Sequence, residues 1–506
     1  MAAISLGLEW NPVTGEKRRR IAYEQNRHVT IFGPTRSGKG VAWEIVNLLR
    51  LLGISIISID PKGQNCAVTM RWRGMVSKVV ILDPLNMSGQ GSAGFNPLAA
   101  LLRAYRSKSP RYFEDASAIA EALIGIQGKD PFFDTMARGL VLMLILWEVK
   151  TADEEDRAPL LKNVRGMLSG DLPGTALKIF HSGDFQMAAL AGQFVETSRT
   201  NDAIIASARA QMQWLLSTPI LDDLAKDGID FAILKKEAVT VYVIPPADAL
   251  ETYSVWLRLV VNSAMNALYR QGGDGLRTLF MLSEFAALGK LDMVATALGQ
   301  GAGFGIQLAC VLQDLNQLQE IYGEKSANTF LGMSGVTIAF TPNDPVTAEW
   351  MSARASDVTV VSPSTSDDQQ TGQPRDSYRA ERRRAISPGD MYEIPEFHGL
   401  VYFAGQSSAV PVFLPPYWDA KHNPDLQGRY DPDPYHKGTP TEKKSRGKGK
   451  LAIMAVAGLL AALALLRSDT VGNHSHMQLA ALPPPVAAPV QARPPQVMKH
   501  GRAHGS

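Results

Sequence analysis

Eight residues near the N-terminus, Gly33-Pro-Thr-Arg-Ser-Gly-Lys-Gly40, have the types and spacing of a phosphate-binding loop. Glycines let such a loop curl so that successive backbone N–H groups point inward at phosphate oxygens. A helix opening behind it adds partial positive charge. The nucleotide contacts predicted here are Gly33, Thr35, Arg36, Ser37, Gly38, Lys39, Gly40 and Val41, with Lys39 reaching the β- and γ-phosphates. The residue after the lysine is Gly40, so the hydroxyl that ordinarily holds magnesium at that place is missing. A second candidate is Glu284, at the tip of Thr278-Leu-Phe-Met-Leu-Ser-Glu, where a carboxylate can polarise an attacking water. The plainer alternative is a solvated glutamate at a strand end. A magnesium-organising aspartate is expected just before it, and the residue there is Ser283.

Gln313 follows an apolar run ending at Leu312, where an amide can sense the γ-phosphate or position water; a polar residue opening a helix is the alternative. Asp60 ends another run, in Ile59-Asp-Pro-Lys-Gly63. Ligands of open α/β sheets sit at the carboxyl ends of strands, which puts Asp60 and Lys62 near the nucleotide unless the dipeptide is only an Asp-Pro turn. The predicted catalytic set is Lys39, Glu284 and Gln313. Other patterns carry less. Gly299-x-Gly-x-Gly-x-Gly305 precedes a strand and reads as a helix C-terminus and turn. The histidines show no metal spacing beyond His474-x-His476, so no metal site built from protein ligands is expected. Arg375, Arg379, Arg382, Arg383 and Arg384 are interleaved with Asp376 and Glu381 and read as a solvated face, with phosphate contact or an arginine finger as the alternative.

These residues need a scaffold, and the sequence supplies a parallel one. Val29–Phe32, Ile54–Ile59 and Lys78–Leu82 are short β-branched runs, with an apolar-periodic helix from Val41 to Leu52 between the first two. Strand, helix, strand at this spacing is a βαβ unit and predicts an α/β fold with a mostly parallel sheet. From about residue 110 to 230 prolines thin out and helical periodicity dominates, as in 111–126, 134–150 and 192–216, which predicts an all-α insert. Strand patterns return at 239–244, 278–282, 305–312 and 336–340, and residues 362–376 read as a mobile polar loop.

Length and charge set outer bounds. A chain of 506 residues has room for several domains, and 45% hydrophobic with 20% charged residues excludes wholesale disorder or a polytopic membrane protein. Lys and Arg total 51 against 49 Asp and Glu, so bulk charge argues neither for nor against nucleic acid. The two cysteines, Cys66 and Cys310, rule out a disulfide scaffold. Near the C-terminus, residues 451–466 are uncharged and apolar, after a run of lysines and an arginine from 443 to 450 and before a Pro-rich tail. As a helix they are about 24 Å long against a hydrocarbon core of roughly 30 Å. Flanking low-complexity sequence offers no core to bury them, so a single transmembrane helix with its basic side in the cytoplasm is expected.

Together these motifs resemble the TraG/TraD-type coupling ATPases of conjugation and type IV secretion. The resemblance rests on Gly33–Val41, Ile59–Gly63, Leu82-Asp-Pro-Leu-Asn86 with Phe95-Asn-Pro-Leu98, Glu284–Leu291, Leu312–Leu318 with Tyr322-Gly323, and Arg384–Asp390, in that order over about residues 28–416. It implies a RecA-like P-loop NTPase using ATP and Mg2+, in a homo-hexamer with nucleotide at subunit interfaces. Its implied partners are single-stranded DNA with relaxase and relaxosome proteins, and type IV secretion channel subunits. The expected location is the bacterial inner membrane, cytoplasmic side, single-pass through 451–466. The domain scheme is 1–109 and 231–416 for the two parts of the nucleotide-binding domain and 110–230 for the inserted all-α domain. A polar basic linker (417–450), the transmembrane helix (451–466) and a Pro-rich tail (467–506) follow. The expected function is ATP-driven recruitment and translocation of DNA–relaxase substrate. A docking platform that binds nucleotide without hydrolysing it is the alternative favoured by Ser283 and Gly40, and another RecA-like DNA translocase is a third. The family's arginine-finger position falls near Ser334-Gly335, where neither residue can serve.

Overall fold

The computed structural model describes residues 2–126, 131–367 and 374–436. Its strands are β1 (Ile4–Trp10), β2 (Lys17–Tyr23), β3 (His28–Phe32), β4 (Ser55–Ile59), β5 (Lys78–Leu82), β6 (Val239–Val243), β7 (Thr278–Leu282), β8 (Ile306–Leu312), β9 (Ser334–Phe340), β10 (Asp357–Asp367), β11 (Pro374–Arg384), β12 (His398–Phe403) and β13 (Val410–Phe413). Eleven form one sheet in the order β2-β1-β13-β12-β9-β3-β8-β7-β4-β6-β5. The seven from β9 to β5 are parallel, and β12, β13, β1 and β2 extend the β9 edge antiparallel. The β3-β8-β7 register aligns Phe32 with Leu312 and Leu282 with Cys310, so the three strand tips lie side by side.

Every residue of β3, β4, β6, β7, β8 and β9 is buried. That is the signature of a sheet covered on both faces, and it explains runs such as Thr-Leu-Phe-Met-Leu without polar alternation. Side chains still alternate between two cores. Phe280, Leu282, Leu308 and Cys310 pack with Leu140, Leu144 and Trp256 of the helical side. Leu279, Met281, Ala309 and Val311 pack with Trp43 and Leu48 of the helix behind the loop.

Between β5 and β6 the chain is helical, with the long helix Phe132–Glu154 at its centre. Leu140 through Leu146 of that helix are all buried, so it is apolar all round because other helices surround it. Side-chain oxygens begin its neighbours. Asp184 accepts the amide proton of Met187 (2.9 Å), and Ser198 that of Asn201 (3.1 Å). Residues 414–436 return over the front of the molecule. The Tyr417 N–H donates to the carbonyl of Val41 (3.0 Å), and the Tyr435 hydroxyl to that of Lys62 (2.8 Å).

Two expectations change. Residues 362–367 and 374–376 of the polar stretch read as a loop belong to a two-stranded antiparallel ribbon, β10 with β11, in register from Asp357–Arg384 to Asp367–Pro374. The single-pass inner-membrane location is overturned: among the described residues no helix is long and apolar enough to cross a membrane. Residues 451–466, on which that location rested, lie outside the described residues, and sixteen residues in a helix fall short of a span.

Candidate functional site

The loop between β3 and its helix is held in a backbone shape that few residues accept. Arg36 has φ 67° and Gly38 φ 98°, both left-handed. A Cβ on Gly38 would sit 2.7 Å from Cδ1 of Phe397, and one on Gly33 would sit 2.5 Å from Oγ of Ser37. Both glycines are therefore demanded by space, and Gly38 by conformation as well. Gly40 differs: a Cβ there would meet nothing within 4 Å. Behind the loop the chain winds first as a π-turn, Lys39–Glu44, and then as an α-helix, Ile45–Arg50. Widened turns of this kind accompany functional sites, and this one sets which side chains point at the sheet.

The Lys39 ammonium donates to the Gly33 carbonyl of its own loop. Burial pulls its pKa below the ordinary lysine value, while the carboxylates of Glu284, Glu44 and Asp314 push the other way. Those three acids come from three separate places in the chain. Glu284 follows β7, is exposed, and has left-handed backbone (φ 54°) that turns it out of the strand line. Asp314 opens the helix Leu315–Tyr322, accepting the amide proton of Gln317 (3.0 Å). Gln313 lies just before it, beside the loop, because the Gly33 N–H donates to Leu312 O (3.1 Å). The Gln313 N–H in turn donates to Oε1 of Gln317 (2.9 Å). Lys39, Glu284 and Gln313 thus stand at the carboxyl ends of three adjacent strands, β3, β7 and β8.

Asp60 is placed differently from the other predicted residues. Its carboxylate accepts the amide proton of Cys66 (2.8 Å) at the start of helix Gln64–Val76. Burial pushes its pKa up to about 7 against the pull of those amides. It is committed to capping this helix, while Lys62, two residues on, lies near Lys39.

Sequence reasoning missed Glu44 and Asp314. Glu44 is buried at 6% exposure and accepts from the hydroxyl of Ser283 (2.6 Å) and from Nδ2 of Asn65 (3.0 Å). Burial raises its pKa, which the two hydrogen bonds partly offset. Ser283, where a carboxylate was expected, thus carries one at second hand. The only available signal was an acid inside an otherwise apolar helix start, Val-Ala-Trp-Glu-Ile-Val.

The site suits a polyphosphate. The Ser37 hydroxyl is buried within the loop with no hydrogen-bond partner among the described residues. Arg382, Arg383 and Arg384 of the ribbon are paired with carboxylates outside the site. Arg382 pairs with Asp357 (3.0 Å) and Arg383 with Glu381 (2.8 Å), both largely exposed. Ser334 is inside β9, its hydroxyl bonded to that of Thr30 (2.7 Å).

Comparison with known proteins agrees with this architecture. The family model for type IV secretory system conjugative DNA transfer matches residues 11–411. The chain is 27% identical over 393 residues to the conjugal transfer protein TraG of Agrobacterium fabrum, covering 75% of this chain and 58% of that protein. It is 28% identical over 356 residues to the protein VirD4 of the same organism, covering 67% and 51%. It spans between 48% and 60% of the length of the first three such relatives. Among solved structures it resembles the bacterial conjugative coupling protein TrwB, with a TM-score of 0.59 at 19% identity over 77% of this chain and 85% of that one. TrwB has also been solved in complex with ADP and Mg2+, and that form aligns with a TM-score of 0.58 at 18% identity over 82% and 94%. The large mostly parallel sheet has the RecA-like fold of that coupling protein. The chain belongs to the type IV secretory system conjugative DNA transfer family, as a coupling protein of the TraG/VirD4 type.

Proposed function

We propose that this chain is an ATP-driven motor and receptor that brings DNA with its bound relaxase to a type IV secretion channel and drives its transfer. The observation that carries the proposal is the meeting of Lys39, Glu284 and Gln313 at three neighbouring strand ends, beside a loop in which Gly33 and Gly38 leave no room for a Cβ. ATP with Mg2+ is the cofactor. Gly33 to Val41 cradle its phosphates through backbone N–H groups, and Lys39 neutralises the β- and γ-phosphates. Bound magnesium offsets phosphate charge there. Glu284, exposed at the strand tip, accepts a proton from the attacking water. Gln313 links the phosphate end of the site to the helix Leu315–Tyr322, a route by which phosphate state reaches a neighbouring subunit.

In this proposal six copies form a ring with nucleotide between subunits. Residues 110–230 make an all-α domain facing the relaxosome, between the parts 1–109 and 231–416 of the nucleotide-binding domain. A second reading is a docking platform that binds nucleotide without turnover, favoured by the hydroxyl of Ser283 in place of a carboxylate. Magnesium-dependent ATP hydrolysis by the full chain, with and without single-stranded DNA and with Lys39→Ala as the blank, separates the two. DNA-stimulated turnover above the blank supports the motor, and binding without turnover supports the platform. DNA affinity that does not fall with salt would remove the nucleic-acid part.

A further inference from the structure

Glu44 is a carboxylic acid in a place that ordinarily costs a protein several kcal/mol, buried and without a cationic side chain within ion-pair distance among the described residues. Lys39, the cation that acts on it, is hydrogen-bonded to the Gly33 carbonyl. Both hydrogen bonds to Glu44 go to one oxygen, Oε2, and Oε1 accepts none among the described residues. The donor of the shorter bond is Ser283, at the tip of β7 and immediately before Glu284. The carboxylate therefore stands directly behind the position from which a magnesium-organising acid would act. It arrives from the opposite side, on the π-turn of the phosphate loop, 239 residues away in sequence. Regular α-helical winding from Lys39 would turn residue 44 to another azimuth, so the π-turn is part of the arrangement.

We infer that Glu44 and Ser283 act as a split acidic element: the Ser283 hydroxyl faces the magnesium of the bound nucleotide or one of its waters, and Glu44 orients and polarises that hydroxyl from behind. This deepens the proposed nucleotide site and rests on it. A hydroxyl alone is a weak magnesium ligand, and one bonded to a carboxylate is held with its lone pairs outward. Outer partners of this kind typically change metal affinity about 10–100-fold when removed. Asn65 donates from Nδ2 to the same Oε2 and helps to hold that oxygen in place (3.0 Å), so Glu44 is a positioning residue and not a group that touches the reacting atoms. The element also accounts for Gly40: with metal organisation moved to the Ser283 side, the hydroxyl usually found after the lysine is dispensable.

The test is magnesium affinity and not turnover. The full chain is titrated with fluorescent N-methylanthraniloyl-ADP in EDTA, then with Mg2+ at fixed nucleotide, and Mn2+ binding is followed by electron paramagnetic resonance. Glu44→Gln is expected to leave nucleotide affinity in EDTA within about twofold and to weaken metal binding about 10–100-fold. Ser283→Ala should do the same, since the hydroxyl is the link; it also serves if Glu44→Gln does not fold. Ser283→Asp combined with Glu44→Gln should restore tight metal binding. Unchanged metal affinity in Ser283→Ala and in any folded Glu44→Gln overturns the inference, as does equal weakening with and without metal, which marks a packing role. If the unaltered chain binds no nucleotide in either condition, the nucleotide site itself is overturned.

Discussion

Two glycines two residues apart in the phosphate loop should respond oppositely to the same substitution. Gly38→Ala forces an alanine to φ 98°, a strained backbone costing about 1–3 kcal/mol. Its Cβ would also lie 2.7 and 2.9 Å from two ring carbons of Phe397. Moving that ring off its rotamer costs about 0.5–1.5 kcal/mol more. Loss of unfolded-state freedom returns about 0.4–1 kcal/mol, so the net destabilisation is roughly 1–4 kcal/mol. Gly40→Ala meets no atom within 4 Å and has no left-handed backbone, so only the favourable part applies, about 0.4–1 kcal/mol. The assay is urea unfolding of the full-length variants side by side, with nucleotide titration of each. Gly38→Ala should lower the midpoint and abolish binding; Gly40→Ala should raise the midpoint slightly and keep binding. Adding Phe397→Ala to Gly38→Ala should recover only the steric share, about 1 kcal/mol, in a double-mutant cycle. Equal midpoints for the two alanine variants would refute the geometry of the loop.

Lys39→Ala should weaken binding of a fluorescent ATP analogue about 10–100-fold, the worth of a charge-assisted hydrogen bond of about 1.5–3 kcal/mol; unaltered affinity would exclude a phosphate role. His28 is buried with its Nδ1 accepting the amide proton of Leu308 (3.0 Å), and burial pushes its pKa down to about 4. A depressed folded value means the stabilisation is present above the unfolded pKa of about 6.5 and is lost as pH falls toward 4, by at most about 3 kcal/mol. His28→Gln should remove that loss, and a difference between wild-type and His28→Gln midpoints that stays constant from pH 7 to 4 would contradict it. Asn47, fully buried, accepts from the Ser5 N–H (2.7 Å) and donates to the Ser5 and Trp43 carbonyls, clamping β1 to the helix Ile45–Arg50. Asn47→Ala should cost about 2–4 kcal/mol by chemical denaturation, since it strands buried polar groups.

The central parallel strands were legible because burial on both faces makes them uninterrupted apolar runs, and β7 falls on the residues the pattern selects. The antiparallel edge was not. Between Ser5 and Gly7, and again between Leu8 and Trp10, register shifts break the two-residue period of β1. Its partner β2 begins Lys-Arg-Arg-Arg, which no hydrophobicity rule selects. The β10–β11 ribbon was missed because β11 and β10 from Ser362 onward are polar. At the site, the phosphate loop was readable because its residues are contiguous. Gln313 and Glu284 were readable from strand ends. Glu44 was invisible because its meaning lies in Ser283 and Asn65, partners that only the folded chain brings to it.

An open sheet of eleven strands has two free rims, and a rim with unpaired amides is a template for a second chain. Here β2 forms one rim, and it carries Lys17, Arg18, Arg19 and Arg20 in a row. The side chains of Arg18 and Arg19 are 50% and 60% exposed, with Glu16 and Glu9 balancing them from the same hairpin. A copy laid against this rim about 4.8 Å away would have to desolvate these charged side chains and disturb their pairs with Glu16 and Glu9, which opposes the pairing. Exchanging Arg18 and Arg19 for valine would leave the fold's interior untouched while removing its guard against edge-to-edge aggregation.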